Sequence, residues 1–324
     1  MAAASLRDEV TGLLQELLRL DTVNPPGNET RAAELLRDYL EPRGVECRLY
    51  ARVPERASLV ARIRGRDPAA PRLLFLSHTD TVLADPAEWS VDPWSGELRG
   101  GCVWGRGALD MKGQVAASAV ALAALAREGF EPEGDLVFAA TADEEVGEGF
   151  GLSWLCAEHP EAVRAAWCVN EGGGDRIEVA GRPLYLCATS EKATAPFTVR
   201  VRGRSGHAST PGVADNALVK AASVIERLGR LETPLWRAIE AFVAAEEPRA
   251  GLVPVLLAGF TDSHFLRETF GTIAYGFFPL RAMAAELAAL LVHSADERAA
   301  VDDLELGTRF LAHVARELLS GGPS

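Results

Sequence analysis

Glu144 and Glu145 are adjacent carboxylates that lie just beyond the apolar run 136–140, after Thr141-Ala142-Asp143. Like charges in that position repel each other unless a cation lies between or beside them. Successive side chains also point in different directions, so one can bind metal while the other faces a water. With Asp143 and Glu148 nearby, a solvated acidic turn is the plain alternative. His78-x-Asp80 follows the apolar run 73–76. One imidazole nitrogen there can ligate a metal while the carboxylate orients the ring, although the pair also suits a surface histidine beside an aspartate. Asp110 stands between glycines in Gly105-Arg106-Gly107-Ala108-Leu109-Asp110-Met111-Lys112-Gly113, just before a helix, where a helix cap would be equally at home. Glu171 follows the apolar strand 166–169 and precedes three glycines, which suggests a carboxylate presented at a flexible, uncrowded edge. His293 lies between an apolar segment and the final helix, where a lone histidine is ordinarily structural. His159, His264 and His313 have no motif around them and read as surface or packing residues. Histidines and carboxylates arriving from separate strand ends suit a two-metal site, and mixed nitrogen and oxygen donors favour zinc, with cobalt or manganese also compatible. Two cations about 3.5–4 Å apart share a water and lower its pKa toward neutrality. A carboxylate must then take the proton, and Glu144 is the one left if Glu145 is a ligand.

The elements that would position these groups read as an α/β fold. Leu6, Val10, Leu13, Leu14, Leu17 and Leu18 recur at helical spacing before Asn24-Pro25-Pro26-Gly27 breaks the chain. A second helix, with Asn28 as its cap, carries Ala32, Leu35, Leu36, Tyr39 and Leu40. Strand-like runs at 45–50, 59–63, 73–76, 136–140 and 166–169, with a helix at 116–125, predict a largely parallel sheet with helices on both faces. Ligands bind such sheets beyond the carboxyl ends of the strands, where the polar clusters fall. Farther along, the pattern predicts a strand at 194–201 and an amphipathic helix at 217–231 with an apolar stripe of Leu218, Ala221, Ile225 and Leu228. Helices at 235–245 and 301–319 and strands at 253–257 and 272–275 complete the chain.

A net charge of −13 over 324 residues argues against a nucleic-acid partner, which needs a basic surface. No apolar run approaches the roughly 18 residues needed to cross a bilayer, so no membrane association is expected. The first residues have neither the basic nor the apolar region of a secretory signal, and the five scattered cysteines contain no C-x-x-C pair. These features predict a cytoplasmic protein with reduced, packed cysteines.

Taken in order, Ser77-His78-Thr79-Asp80, the Asp110 loop, Asp143-Glu144-Glu145, Asn170-Glu171, Gly206-His207-Ala208-Ser209 and His293-Ser294-x-Asp296-Glu297 resemble the M20 family of metallopeptidases and aminoacylases. That family includes carboxypeptidases, acetylornithine deacetylases and succinyl-diaminopimelate desuccinylases. The resemblance implies a zinc-exopeptidase-like catalytic domain whose mostly parallel sheet holds two zinc ions per chain. It implies that His78 and Glu171 bind one metal and that Glu145 and His293 bind the other. Asp110 would bridge the two, with a cis peptide bond after it, and Asp80 would orient His78. Glu144 would be the general base, taking a proton from a water shared by the metals and handing it to the departing amine. His207 would support the developing oxyanion, reaching across to a neighbouring chain's site in dimeric relatives.

The departure from the family pattern is in the lid. Residues 192–231 match only one strand and one helix of a much larger inserted dimerisation domain, whereas 1–191 and 232–324 match the catalytic domain. A stripe so thinly covered is expected to pack on the catalytic domain or on a second chain. Homodimerisation is expected to be weakened, and Arg281 is a candidate anchor for a substrate carboxylate in place of the missing half. The resulting expectation is a di-zinc hydrolase of N-acyl amino acids or small peptides. The competing expectation is a metal-binding, catalytically weak homologue that acts as a binding or assembly protein.

Overall fold

The computed structural model describes residues 5–191, 200–204, 216–229 and 233–321, with backbone only for 224–229. Helices α1 (Leu6–Leu18) and α2 (Thr30–Leu40) precede strands β1 (Glu46–Ala51), β2 (Ala57–Ile63) and β3 (Leu73–His78). The short strands β4 (Glu97–Arg99) and β5 (Cys102–Trp104) lead into α3 (Lys112–Arg127) and β6 (Leu136–Thr141). Next come α4 (Leu152–Glu158), α5 (Pro160–Val163), β7 (Trp167–Asn170), β8 (Arg176–Val179) and β9 (Arg182–Glu191). The second half contains α6 (Ala217–Gly229), α7 (Pro234–Glu246), β10 (Gly251–Leu257), α8 (Ser263–Phe270) and β11 (Ile273–Gly276). It ends with α9 (Ala285–Leu291), β12 (Arg298–Ala300) and α10 (Val301–Leu319).

The main sheet has the order β1-β2-β6-β3-β7-β11-β9-β10, with β8 beside β9. Its centre, β6-β3-β7-β11, is parallel. The pairs β1/β2, β2/β6, β9/β11 and β8/β9 are antiparallel, and β10 joins β9 in parallel. The fold is therefore the expected α/β architecture, with antiparallel margins on a parallel core. A second small sheet, β12-β5-β4, lies apart from it.

Strand β3 shows why the centre is buried on both faces. Leu73 and Phe75 enter one apolar cluster with α1, α3 and α10, whereas Leu74 and Leu76 enter another with α4, α5 and α8. Side chains alternate across a strand, so a continuous apolar run is what two covered faces require. Helix α3 is buried almost all round, and its alanines let α1 and α10 approach closely. Lys112 is also buried, and its ammonium donates to the Leu17 and Leu20 carbonyls where α1 ends.

Strand β9 and helix α8 were not anticipated. The first opens on Arg182-Pro183 just after a glycine, which reads as a turn, and the second is short and half polar. Most of the expected strand 194–201 lies outside the described residues, as do the side chains of Ile225 and Leu228. Helix α6 does form, but Leu218 and Val219 are 79% and 64% exposed, so the expected cover for Leu218 is not supplied by the described part of this chain. All five cysteines are free thiols, three of them buried. No helix among the described residues is long and apolar enough to cross a membrane.

Candidate metal centre

The carboxyl ends of β3, β6 and β7 deliver His78, Glu144-Glu145 and Glu171 to one edge of the sheet. Asp110 comes from the loop before α3 and His293 from the turn after α9. His78 Nε2 lies 3.1 Å from Asp110 Oδ1 and 3.8 Å from Glu171 Oε1. His293 Nε2 lies 3.0 Å from Asp110 Oδ2 and 3.3 Å from Glu145 Oε2. Two triads result, His78-Asp110-Glu171 and Asp110-Glu145-His293, each with its donor atoms within 4.8 Å of one another. Donors about 2.0–2.2 Å from a tetrahedral zinc are separated from each other by about 3.3–3.6 Å. The donor set, imidazole nitrogen plus carboxylate oxygen, therefore suits a divalent cation in each triad, with one oxygen of Asp110 turned to each. Glu145 Oε1 is buried without a hydrogen-bond partner, a further sign that a positive group belongs there.

The electrostatics agree. Burial pushes the carboxyls of Glu144, Glu145 and Glu171 upward, Glu145 to about 7, and the neighbouring Asp110 carboxylate adds to this in all three. Burial also opposes the charge on Asp110, but hydrogen bonds from His293 and His78 outweigh it and hold that carboxyl well below its ordinary range. So many acids in one enclosed place are costly until a cation neutralises them.

Asp80 organises both halves without joining either triad. Its carboxylate accepts from the backbone amides of Glu144 and Glu145 and from the Asn24 amide. It also stands 3.3 Å from His78 Nδ1, the ring nitrogen that faces away from Asp110 and meets the Asp80 backbone carbonyl at 3.1 Å. Asp143, next to the paired glutamates, is 4% exposed and not a solvated acid. It adopts a left-handed backbone (φ 65°), and its carboxylate accepts from Asn24, Arg56 and the Phe150 amide. Arg56 is itself clamped by both oxygens of buried Glu29. This buried network turns the chain so that Glu144 and Glu145 face the site.

Glu297 closes the motif that begins at His293. The structure places it, fully buried, beneath the Asp110 loop, where it accepts from the backbone amides of Gly107, Leu109 and Asp110 and from Arg106. The peptide after Asp110 is cis. Asp296 takes the Ser90 amide and hydroxyl, fastening the turn that bears His293.

Two expectations are corrected. The glycines after Glu171 do not make a flexible, open edge. A β-carbon at Gly174 would overlap the Phe278 carbonyl, and one at Gly173 would strike the backbone of Gly276 and Ala188. Arg281 does not reach the cavity beside the triads; its guanidinium is 3.4 Å from Glu246 Oε2, and its backbone amide donates to Asp303. It is therefore not placed to anchor a substrate carboxylate in that cavity. His207 lies outside the described residues.

Residues 74–317 match Peptidase family M20/M25/M40, and the chain belongs to that family. It is 30% identical over 225 residues to a succinyl-diaminopimelate desuccinylase of Thioalkalivibrio sulfidiphilus, an alignment covering 68% of this chain and 56% of that protein. The chain thus spans little more than half the length of the curated relatives it matches. Among solved structures, it superposes with a TM-score of 0.68 on the M20 family metallo-carboxypeptidase Sso-CP2 of Sulfolobus solfataricus, at 14% identity and covering 96% of this chain and 99% of that one. The YXEP protein of Bacillus subtilis, described as a dinuclear metal-binding peptidase, gives 0.59 at 12% identity, covering 97% and 99%. These likenesses share the fold.

Proposed function

We propose that the chain is a metal-dependent amide hydrolase acting on N-acyl amino acids or small peptides. His78, Asp110 and Glu171 hold one divalent cation, and Asp110, Glu145 and His293 hold the other. The observation that carries this reading is the Asp110 carboxylate, which meets a histidine from β3 with one oxygen and a histidine more than 180 residues later with the other. The desuccinylase name of the relatives and the dinuclear description of the Bacillus protein support it. Zinc suits the nitrogen and oxygen donors, with cobalt or manganese able to replace it. When bound, such cations polarise the scissile carbonyl and acidify a water.

The protein's own residues do the rest. Asp80 fixes the His78 ring, and Glu297 fixes the backbone that presents Asp110. Glu144 lines the cavity with 17% of its side chain exposed, and its Oε2 is 3.9 Å from His78 Nε2. Glu144 takes the proton of the attacking water on a carboxylate oxygen as the new carbon–oxygen bond forms. It then gives that proton to the amine nitrogen as the carbon–nitrogen bond breaks. The products are a carboxylate and an amine, and no covalent acyl-enzyme is needed. Burial raises the Glu144 carboxyl from its ordinary value, with the neighbouring Asp110 and Asp80 carboxylates adding to the rise.

The test is Glu144→Gln, assayed beside the wild-type chain on a panel of N-acyl amino acids and dipeptides after loading with zinc or cobalt. The variant is expected to keep its metal and lose about 10²–10⁴-fold in kcat. Near-full activity would show that Glu144 is not the base. Absence of hydrolysis by metal-loaded wild type across the panel would sink the enzyme reading itself.

A further inference from the structure

Beside the two triads opens a cavity of about 470 Å³, within the size range of small-molecule sites. Leu109, Leu257, Phe260, Phe278, Leu280 and Val292 contribute to its wall. Phe260 is 65% exposed, an aromatic face left in water at the site. Apart from the candidate ligands and Glu144, the charged lining residues are Asp175 and Asp303, both acids. Asp303 already accepts from the backbone amides of Arg281, Ala282 and Met283. No lysine or arginine lines the cavity among the described residues. Gln114 and Thr261 are the neutral polar side chains of the lining; the Thr261 hydroxyl is taken by Glu191, and the buried side-chain nitrogen of Gln114 has no hydrogen-bond partner.

From this lining we infer that the substituent seated in the cavity, on one side of the scissile amide, is an uncharged apolar group. Dicarboxylic groups such as succinyl are selected against. The inference rests on the amide-hydrolase reading for its chemistry, but the wall of the cavity is what carries it. A free carboxylate entering here would meet acids on the wall, no guanidinium or ammonium among the described lining residues, and apolar surface that strips its water. An alkyl or aryl group would bury the exposed Phe260 and the leucines around it. Burial of each methylene is worth about 0.8 kcal/mol, or about fourfold in kcat/KM. The chain would then differ in substrate from the desuccinylases it resembles, although it shares their arrangement of carboxylates and histidines.

The experiment uses the metal-loaded chain and a matrix of substrates: acetyl, butyryl, hexanoyl and succinyl groups on glycine, leucine and glutamate. Butyryl and succinyl have the same number of carbons and differ in the terminal carboxylate. Along one axis of the matrix, kcat/KM is expected to rise about fourfold per methylene, with the apolar member at least tenfold better than its carboxylate counterpart. Equal or better turnover of the carboxylate-bearing members on both axes overturns the inference. If nothing is hydrolysed, the amide-hydrolase reading fails, and the inference is decided by binding instead. Hexanohydroxamic acid and succinic monohydroxamic acid carry the same chelating head on different tails. Calorimetry should show the hexanoyl compound binding at least tenfold tighter, and equal or reversed affinity overturns the proposal. Leu280→Arg places a cation in the wall and is expected to shift the preference toward the succinyl compound at least tenfold. A folded variant with unchanged preference would show that this cavity does not set it.

Discussion

Asp80 contributes no oxygen to either triad, yet the paired glutamates and the His78 ring are all held through it. Asp80→Ala leaves the backbone amides of Glu144 and Glu145 and the Asn24 amide without their acceptor and removes the carboxylate beside the His78 ring, which keeps the backbone carbonyl of residue 80; metal affinity should fall about 10–100-fold in competition with a chromophoric chelator. Glu297 acts at one further remove. Glu297→Ala would strand Arg106 and the amides of Gly107, Leu109 and Asp110 in a buried place, at a cost of about 3–5 kcal/mol in urea unfolding. Glu297→Gln should recover part of that loss, because one side-chain oxygen remains as an acceptor. The two residues differ in legibility. The role of Asp80 could be read because it lies two positions from a histidine at a strand end. That of Glu297 could not, because its partners are backbone amides nearly 190 positions earlier, and amides have no sequence signature.

At the scale of elements, the parallel core was readable where apolar runs were continuous, as in β3 and β6, and where helical spacing was regular, as in α1 and α10. Strand β9 and helix α8 were missed because their local composition reads as turn and loop, and only pairing with β10 and β11 and packing beneath the sheet makes them regular. The glycines after Glu171 were misjudged for a related reason. Their value lies in close backbone approach, which depends on the distant residues Gly276 and Phe278. Gly276→Ala would press a methyl against the Glu171 carbonyl. It should cost about 1–3 kcal/mol or more and weaken metal retention, read by melting curves and metal analysis together. Packing among α1, α2 and α3 has its own electrostatic lock. Burial pushes the Glu9 carboxyl up, but hydrogen bonds from Arg127 and Tyr39 outweigh it and hold the pKa below its ordinary value of 4.5. A depressed carboxyl stabilises the fold above its unfolded pKa, and that contribution is lost as pH falls through the folded one. Arg127 is nearly half exposed, so the contribution is no more than about 1 kcal/mol. The gap in unfolding free energy between wild type and Glu9→Gln should therefore be constant near neutrality and close below pH 4.5.

For the whole molecule, the candidate ligands run from residue 78 to residue 293 and tie the sheet edge to the segment just before α10. A cation that binds only the folded chain should raise stability by about 4 kcal/mol at a thousandfold excess over its Kd. Chelation should lower the melting temperature, and zinc should restore it. An unchanged melting curve would mean that the acids tolerate one another without help. The two borders of the segment 192–232 are fastened separately. At one, Glu191 is gripped by Thr261 and Arg267. At the other, Thr233 caps α7 and meets the Tyr275 hydroxyl at 3.1 Å. Among the described residues, neither anchor draws on the segment, so evolution could trim or enlarge this stretch like an exchangeable cassette. Replacing it with a short glycine-serine bridge should leave a folded, cation-loaded body, stripped of whatever selectivity the excised piece confers.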